Sequence, residues 1–485
     1  MKYIIGIDQS TQGTKAMLFD GDGAIVYRAD VPHRQIVNEK GWVSHDPEEI
    51  YRNVIRAVKM AVEGAAVPKE QLAAVGISNQ RETTVLWDEQ GRPLNHAVVW
   101  QCNRAETVVE RLKDNGETVY ERSGIPLSAY FPAAKMAWLM ENVVSGLSGD
   151  TKLHFGTVDS WLLFKLTKNH LYKTDYSNAS RTQLFNLRTL TWDSELCTLF
   201  GVPMEALPEV CDSNSCFGTT DFEGFLEKEI PILSMLGDSH GALFGQGCHE
   251  SGMVKATYGT GSSVMMNIGE SFVQSKNGLA ASLAWGIDGK ATYVLEGNIN
   301  YTGAVITWLK EDVGLISSPG ETEKLALQAN PADTCILVPA FTGLSAPYWK
   351  GDAKAVLAEM SRTTGRAEIV RAALDSIAFQ VTDVLKAMEQ DSGCGLQELR
   401  TDGGPTKNQY LMQMQSDLAN VRVSAAGQEE LSAIGAAYLA GLTAGIYRRE
   451  SLFSRMEYRT YAPEMSEENR AAKYAAWKKA VSMTF

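Results

Sequence analysis

Five short stretches carry residue types that could do chemistry. The first, Gly6-Ile7-Asp8-Gln9-Ser10-Thr11-Gln12-Gly13-Thr14-Lys15, ends an apolar run in a carboxylate and then turns through small hydroxyl residues. Such a turn can offer backbone N–H groups and hydroxyls to phosphate oxygens while Asp8 holds Mg2+ through water. It reads equally as a simple hairpin turn. The second, Tyr258-Gly259-Thr260-Gly261-Ser262-Ser263, repeats the device between two further apolar runs, where glycine permits close approach of backbone to a phosphate. Neither contains the Gly-Lys-Ser/Thr of a Walker loop, and Gly259-Thr260-Gly261 lacks the third glycine of the dinucleotide fingerprint. What remains is a pair of matched turns that could grip a triphosphate from two sides of a cleft.

The third stretch, Met235-Leu236-Gly237-Asp238-Ser239-His240-Gly241, ends an apolar run in Gly-Asp, and its carboxylate could accept the proton of an attacking hydroxyl. In phosphoryl transfer such a base contributes roughly 10² to 10⁴ in rate, the rest coming from positioning and charge neutralisation. Asp238 also reads as a helix N-cap, and His240 as a ligand, a base or a packed side chain. The fourth, Asn79-Gln80-Arg81-Glu82-Thr83-Thr84, follows the apolar run AAVGIS. Adjacent guanidinium and carboxylate groups suit a set of hydroxyls, Arg81 donating and Glu82 accepting, although a solvated salt bridge has the same spacing. The fifth, Thr401-Asp402-Gly403-Gly404-Pro405-Thr406-Lys407-Asn408, is a glycine turn before a helix, open either to a flat base or ribose or to no ligand at all.

These stretches must be positioned by a large scaffold. The 485 residues exceed what one compact core usually serves, so two domains are expected, and 44% hydrophobic with 21% charged residues is ordinary for a globular chain. YIIGID, TKAMLFD and AIVYR, with a Gly21-Asp22-Gly23 turn, predict a meander of strands, and MVKATYGTGSSVMMNIG predicts a second strand pair about its own turn. Helical spacing at Pro47 to Glu63, Ala105 to Leu112, Arg366 to Gln390 and Tyr410 to Ala419 alternates with strand candidates AAVGIS, HAVVW and Cys335 to Pro339. The helix SAIGAAYLAGLTAG is rich in small residues and should pack tightly. An α/β fold follows, divided near residue 245 into 1–245 and 246–485.

Lys plus Arg number 45 against 58 Asp plus Glu, and the resulting charge of −13 repels nucleic acid and anionic membranes. Seven scattered cysteines without a CxxC pair read as reduced thiols of a cytoplasmic protein. Asp8 interrupts the N-terminal apolar stretch before a signal core forms, and no run of about 18 apolar residues is present. Neither export nor a membrane partner is expected.

In their order along the chain, Asp8 with Thr11, Arg81-Glu82, Gly237-Asp238, Tyr258-Gly259-Thr260-Gly261, Asp402-Gly403-Gly404 and Ala433-Ile434-Gly435-Ala436-Ala437 resemble the FGGY carbohydrate kinases. Tyr130-Phe131-Pro132-Ala133-Ala134-Lys135-Met136-Ala137-Trp138-Leu139-Met140-Glu141-Asn142 resembles the first signature of that family throughout. Ala355 to Asp375 resembles the second, with Glu359 where glycine is usual. The resemblance implies two actin-like (ribonuclease H-like) domains closing over a cleft, ATP and Mg2+ as cofactors, a polyol or sugar substrate, and a homodimer or homotetramer. Carried over by position, it implies Asp238 as base, Asp8 and Asp238 about the metal, and Arg81, Glu82, Trp100, Tyr130, Asp238, Ser239 and Ser263 about the substrate. Thr11, Gln12, Gly13, Lys15, Gly259, Thr260, Gly261, Gly303, Thr307, Gly404 and Asn408 would then line the nucleotide site. Lys15 stands where Arg is usual, which implies a looser phosphate contact.

Within the family, NQRETT, VVWQCNR, TDYSNASRTQLFN and LMQMQSD are most similar to glycerol kinases. Those enzymes have Gln after the base and Phe just past the second turn, where this chain has Ser239 and Ser263. Two serines there should widen the pocket, so a linear four- or five-carbon acceptor such as xylulose or erythritol is expected over glycerol, the alternative. Two other classes, an actin-like ATPase and a non-catalytic sugar-binding regulator, are disfavoured by the Arg81-Glu82 pair and by the intact Asp8 and Asp238.

Overall fold

The computed structural model describes residues 2–147 and 151–485. Two mixed sheets form its frame, and each contains the same device. In the first, the meander β1 (Tyr3–Gln9), β2 (Gly13–Phe19) and β3 (Ile25–Pro32) is joined by β4 (Leu72–Asn79), β5 (Gly218–Thr220) and β6 (Ile230–Gly237) in the order β5-β6-β4-β1-β2-β3. Strands β4 and β6 run parallel to β1. In the second sheet, β7 (Met253–Tyr258), β8 (Ser262–Gly269), β9 (Ala280–Ile287), β10 (Lys290–Ile299), β11 (Glu398–Asp402), β12 (Val423–Ala426) and β13 (Tyr458–Tyr461) adopt the order β9-β10-β8-β7-β11-β12-β13. Here β11 is parallel to β7 as β4 is to β1. The meanders predicted from alternation and turn residues are therefore present, and functional groups collect beyond the carboxyl ends of the parallel strands, as open α/β sheets allow.

Helices cover both sheets. Helix α1 (Pro47–Ala65) starts where the Asp46 carboxylate accepts from Glu48 N–H and Pro47 takes the first helical position. It ends at Ala66 in the left-handed region, and Ile50, Val54 and Val58 form a buried stripe at fourfold spacing, each contributing about 1.5–3 kcal/mol of burial. HAVVW gives only a two-residue strand at Ala97–Val98, beyond which Trp100 reaches the cavity described below. Glu359 has φ 55°, a left-handed conformation that explains why glycine is usual there. Its carboxylate is held by Lys479 at 2.8 Å.

The small-residue helix α8 (Leu431–Thr443) does not sit on the sheet of its own half. It packs against β1, β4 and β6 of the first sheet and crosses α4 (Asp238–Gly245). A Cβ on Gly435 would fall 1.9 Å from the carbonyl oxygen of Gly241, so only glycine permits the crossing. Phe19, Leu236 and Leu243 from the first half meet Ile434 and Tyr438 from α8 and Met265, Trp285 and Val294 from the second sheet in one shared core. Asp238 is thus anchored from both halves: it opens α4, and Ser432 Oγ of α8 donates to its carbonyl oxygen at 2.9 Å.

Candidate active site

Sheet register decides which side chains of the second half face the gap. Asp402, Thr257, Ser263 and Asn298 lie side by side across β11, β7, β8 and β10, and the next row inward on that face carries Lys255 and Glu296. The first half supplies Arg81 and Glu82 just past β4, and Asp238 just past β6. Together they enclose a cavity of about 560 Å³, lined on one side by Arg81, Glu82, Trp100, Tyr130 and Asp238 and on the other by the Gly259-Thr260-Gly261 turn and Ser263.

The floor of the cavity is a buried charge network. Arg81 Nε donates to Asp238 Oδ1 (3.0 Å), its two terminal nitrogens grip Glu296 (3.0 and 2.9 Å), and Nη2 also reaches Ser239 Oγ (3.1 Å). Arg181 Nε donates to Glu82 Oε1 (2.7 Å), and Arg181 Nη1 is an ion-pair partner of Glu296 Oε2 at 2.8 Å. Arg81 and Glu82 do not pair with each other, and both are buried, which excludes the solvated salt bridge. Burial alone would raise the Glu296 pKa, yet Arg181 and Arg81 hold it well below the usual carboxylate range. Burial likewise opposes charge on Arg81, but Glu296, Glu82 and Asp238 keep it firmly protonated. Asp238 Oδ1 also accepts from Ser239 N–H (2.6 Å), and no donor among the described residues meets Oδ2. Gly237, not Asp238, occupies the cap position, so the N-cap reading does not hold. His240 is buried and kept neutral by desolvation, with Nε2 beside Ser282 Oγ, and stays out of the cavity wall.

Trp100 and Tyr130 close the side of the cavity, their rings 5.5 Å apart. Trp100 Nε1 donates to Thr11 Oγ1 (2.9 Å), joining the first turn to this wall. Tyr130 is fixed by Lys135 of helix α2 (Pro132–Asn142), a buried lysine that donates to the carbonyls of Ala129 (2.5 Å) and Tyr130. Burial lowers the Lys135 pKa to about 7.

The second turn is braced from behind. The Gly259 carbonyl accepts from Gly303 N–H (2.9 Å), and that of Thr260 from Thr302 and Ala304 N–H (3.0 Å each), while the amides of Thr260 and Gly261 have no backbone partner among the described residues. Gly403, at φ 101°, lets the fifth stretch pass this turn, since a Cβ there would meet the Tyr258 carbonyl at 2.1 Å. Beyond lies a second cavity of about 470 Å³, more apolar, lined by Gly303, Ile306, Thr307, Leu374, Gly404 and Asn408 among others. The helix α5 (Gly303–Glu311) links the two cavities, its first residue bracing the turn and its side facing the apolar space.

Most of the residues singled out from sequence therefore gather in two adjoining cavities. Asp8, Gln12, Gly13 and Lys15 do not reach either wall. Asp8 is buried behind the first turn, where Ser78 Oγ donates to it and desolvation pushes its pKa up to about 7. Gln12 points to solvent, Gly13 pairs in β2, and Lys15 is turned onto Glu430 at 2.5 Å instead of standing free for a phosphate. Sequence reading missed Arg181, Glu296, Lys255 and Thr257, and named Asp402 only as part of a turn. For Lys255 and Glu296 the usable signal was a charged residue inside an apolar strand, as in MVKATY and YVLEG; Arg181 and Thr257 carry no such signal.

Residues 3–245 match the family model described as the FGGY family of carbohydrate kinases, N-terminal domain, and residues 254–444 match its C-terminal domain counterpart. Glycerol kinase 1 of Thermotoga maritima is 46% identical over 486 residues, covering 99% of each chain. The crystal structure of Plasmodium falciparum glycerol kinase with ADP superposes with a TM-score of 0.93 at 35% identity, covering 100% of this chain and 98% of that one. A ligand-bound xylulose kinase from Lactobacillus acidophilus shares the fold at 22% identity, with a TM-score of 0.88 and 100% and 97% of the two chains covered.

Proposed function

The chain belongs to the FGGY family of carbohydrate kinases, and we propose that within it the protein transfers the γ-phosphoryl group of ATP to a terminal hydroxyl of glycerol. The observation that supports this best is that Asp238, Arg81, Glu82 and the Gly259-Thr260-Gly261 turn line one cavity. An alcohol lying between them meets a proton acceptor on one side and unpaired amides on the other. The full-length relatives quoted above carry the name glycerol kinase. The longer acceptor expected from Ser239 and Ser263 is the weaker reading. Both hydroxyls are engaged with the charged floor, Ser239 Oγ accepting from Arg81 and Ser263 Oγ donating to Glu296 at 3.2 Å, and so are not free groups on a far wall.

Each residue then has a definite task. Four of the five Arg81 N–H bonds are committed, leaving one on Nη1 for a substrate hydroxyl, while the Glu82 oxygen not held by Arg181 accepts from a second. Trp100 and Tyr130 cover the carbon chain and exclude water, which would otherwise compete as acceptor. Asp238 Oδ2 takes the proton of the attacking hydroxyl as the P–O bond to that oxygen forms and the bond to the ADP oxygen breaks. The apolar second cavity suits adenosine, with Gly404 leaving open space for a flat ring. Among the described residues no cluster of three metal-ligating side chains occurs. Of the two carboxylates considered for a metal, Asp238 lines the cavity and Asp8 lies buried behind the first turn, so Asp8 would reach an ion there only through that ion's waters, its other ligands coming from phosphates. When bound, Mg2+ would neutralise charge on the β- and γ-phosphates.

A coupled ADP-release assay over glycerol, erythritol, xylulose and hexitols tests the reading. Glycerol is expected to have the highest kcat/KM. A higher value for erythritol or xylulose would refute it.

A further inference from the structure

Lys255 occupies an unusual position for a lysine. It lies in β7, two residues before Thr257 and three before the second turn begins, is 1% exposed, and lines the acceptor cavity. Its Nζ donates to Thr257 Oγ1 at 2.9 Å and stands 3.5 Å from Ser263 Oγ, both neutral hydroxyls. Among the described residues it forms no ion pair, whereas the buried Arg81 and Arg181 each contact two carboxylates. Nor does it resemble Lys135, whose ammonium is absorbed by two main-chain carbonyls. An ammonium has three donors, and burying it against two hydroxyls is costly unless a charged partner arrives.

We propose that Lys255 is a catalytic residue whose ammonium meets the non-bridging oxygens of the phosphoryl group as it passes from nucleotide to acceptor. The inference rests on the phosphoryl-transfer reading above. Register places Lys255 on the same sheet face as Thr257, Ser263 and Asp402, between the turn with its unpaired amides and the network that holds Asp238. During transfer the γ-phosphorus loses its bond to the leaving ADP oxygen and gains one to the acceptor oxygen, whose proton goes to Asp238. Lys255 exchanges no proton or bond and stabilises the charge spread over the three equatorial oxygens. Burial lowers its pKa, with Asp402, Glu296 and Asp238 opposing, so an incoming phosphate also favours its protonated form.

The experiment compares Lys255→Met and Lys255→Gln with the wild-type chain in ADP release, Mg·ADP titration calorimetry and thermal melting without ligand. A group that stabilises only the reacting phosphoryl should cost about 100-fold or more in kcat when lost. The KM for glycerol and the Kd for Mg·ADP should stay within about threefold, because neither ground state uses the charge fully. Melting temperature should be unchanged or higher, since an uncompensated buried charge is removed. A kcat within tenfold of wild type overturns the proposal, as does a variant that melts lower or fails to fold, which marks Lys255 as structural. Wild-type inactivity toward every acceptor would instead overturn the kinase reading itself.

Discussion

Replacing Glu296 by Gln removes one negative charge from the centre of the site while keeping its shape. The Glu296 side chain is 0% exposed and is held by two Arg81 nitrogens at 3.0 and 2.9 Å and by Arg181 at 2.8 Å. Of the cluster Arg81, Arg181, Glu82, Glu296 and Asp238, the variant leaves two cations facing two carboxylates, and Arg81 turns more fully onto Asp238, the group that must take a proton. Breaking a buried pair costs folding stability, and because Arg81 sets the charge around Asp238, loss of this preorganised contact should also cost about 3 kcal/mol of transition-state stabilisation. At about 1.4 kcal/mol per decade this is a loss of roughly 10²-fold in kcat/KM for glycerol. Steady-state ADP release with each substrate varied in turn gives the split: the glycerol KM should rise, the ATP KM should hold within about threefold, and the protein should melt lower. A kcat/KM for glycerol within threefold of wild type, or an equal rise in both KM values, would refute the assignment of Glu296 as the group that sets Arg81.

Asp8 keeps its proton up to about pH 7 when folded, because burial raises its pKa, whereas an unfolded carboxyl loses it near the ordinary 3.8. The folded state therefore binds more protons across that window, and stability from this group falls as pH rises through it, by about 4 kcal/mol at most for some three pH units. Asp8→Asn should raise the ligand-free melting temperature clearly at pH 8 and hardly at pH 4.5, and equal shifts at both pH values would contradict the burial argument. Ser263→Phe restores a ring beside the acceptor. Burial of its apolar surface is worth about 1–2 kcal/mol, so the glycerol KM should fall roughly 5- to 30-fold, and a KM that is unchanged or higher would show that the serine does not leave a gap beside a three-carbon substrate.

The local devices were readable because they rest on backbone chemistry. Apolar runs broken by Asp8, by Gly237-Asp238 and by the 258–263 turn announce strands that end in functional turns, and all three are strand ends here. At Glu359 the sequence departs from the glycine usual in the resembled family, yet the backbone keeps a positive φ that a glycine would also take. Long-range pairing was not readable. Nothing in SAIGAAYLAGLTAG says that it packs on the sheet of the other half, since that depends on Gly241 and Gly435, almost two hundred residues apart, meeting at van der Waals distance. Arg81 and Glu82 were singled out from sequence and line the cavity, but of their partners only Glu296 stands as one charge among apolar neighbours, while Arg181 lies in a polar loop that gives no such hint. Lys15 shows the converse. The family resemblance implied a phosphate contact for Lys15, while Glu430, 415 residues away, takes its ammonium.

Turnover by Asp238→Asn, measured beside its Mg·ADP affinity, tests the account most directly. The amide is isosteric but cannot take the acceptor's proton, so glycerol-dependent ADP release should fall by about 10³-fold or more, with Mg·ADP Kd within about threefold and an unchanged far-UV circular dichroism spectrum. Turnover within tenfold of wild type would mean that the hydroxyl loses its proton elsewhere, and the site as built here would not be the site of transfer.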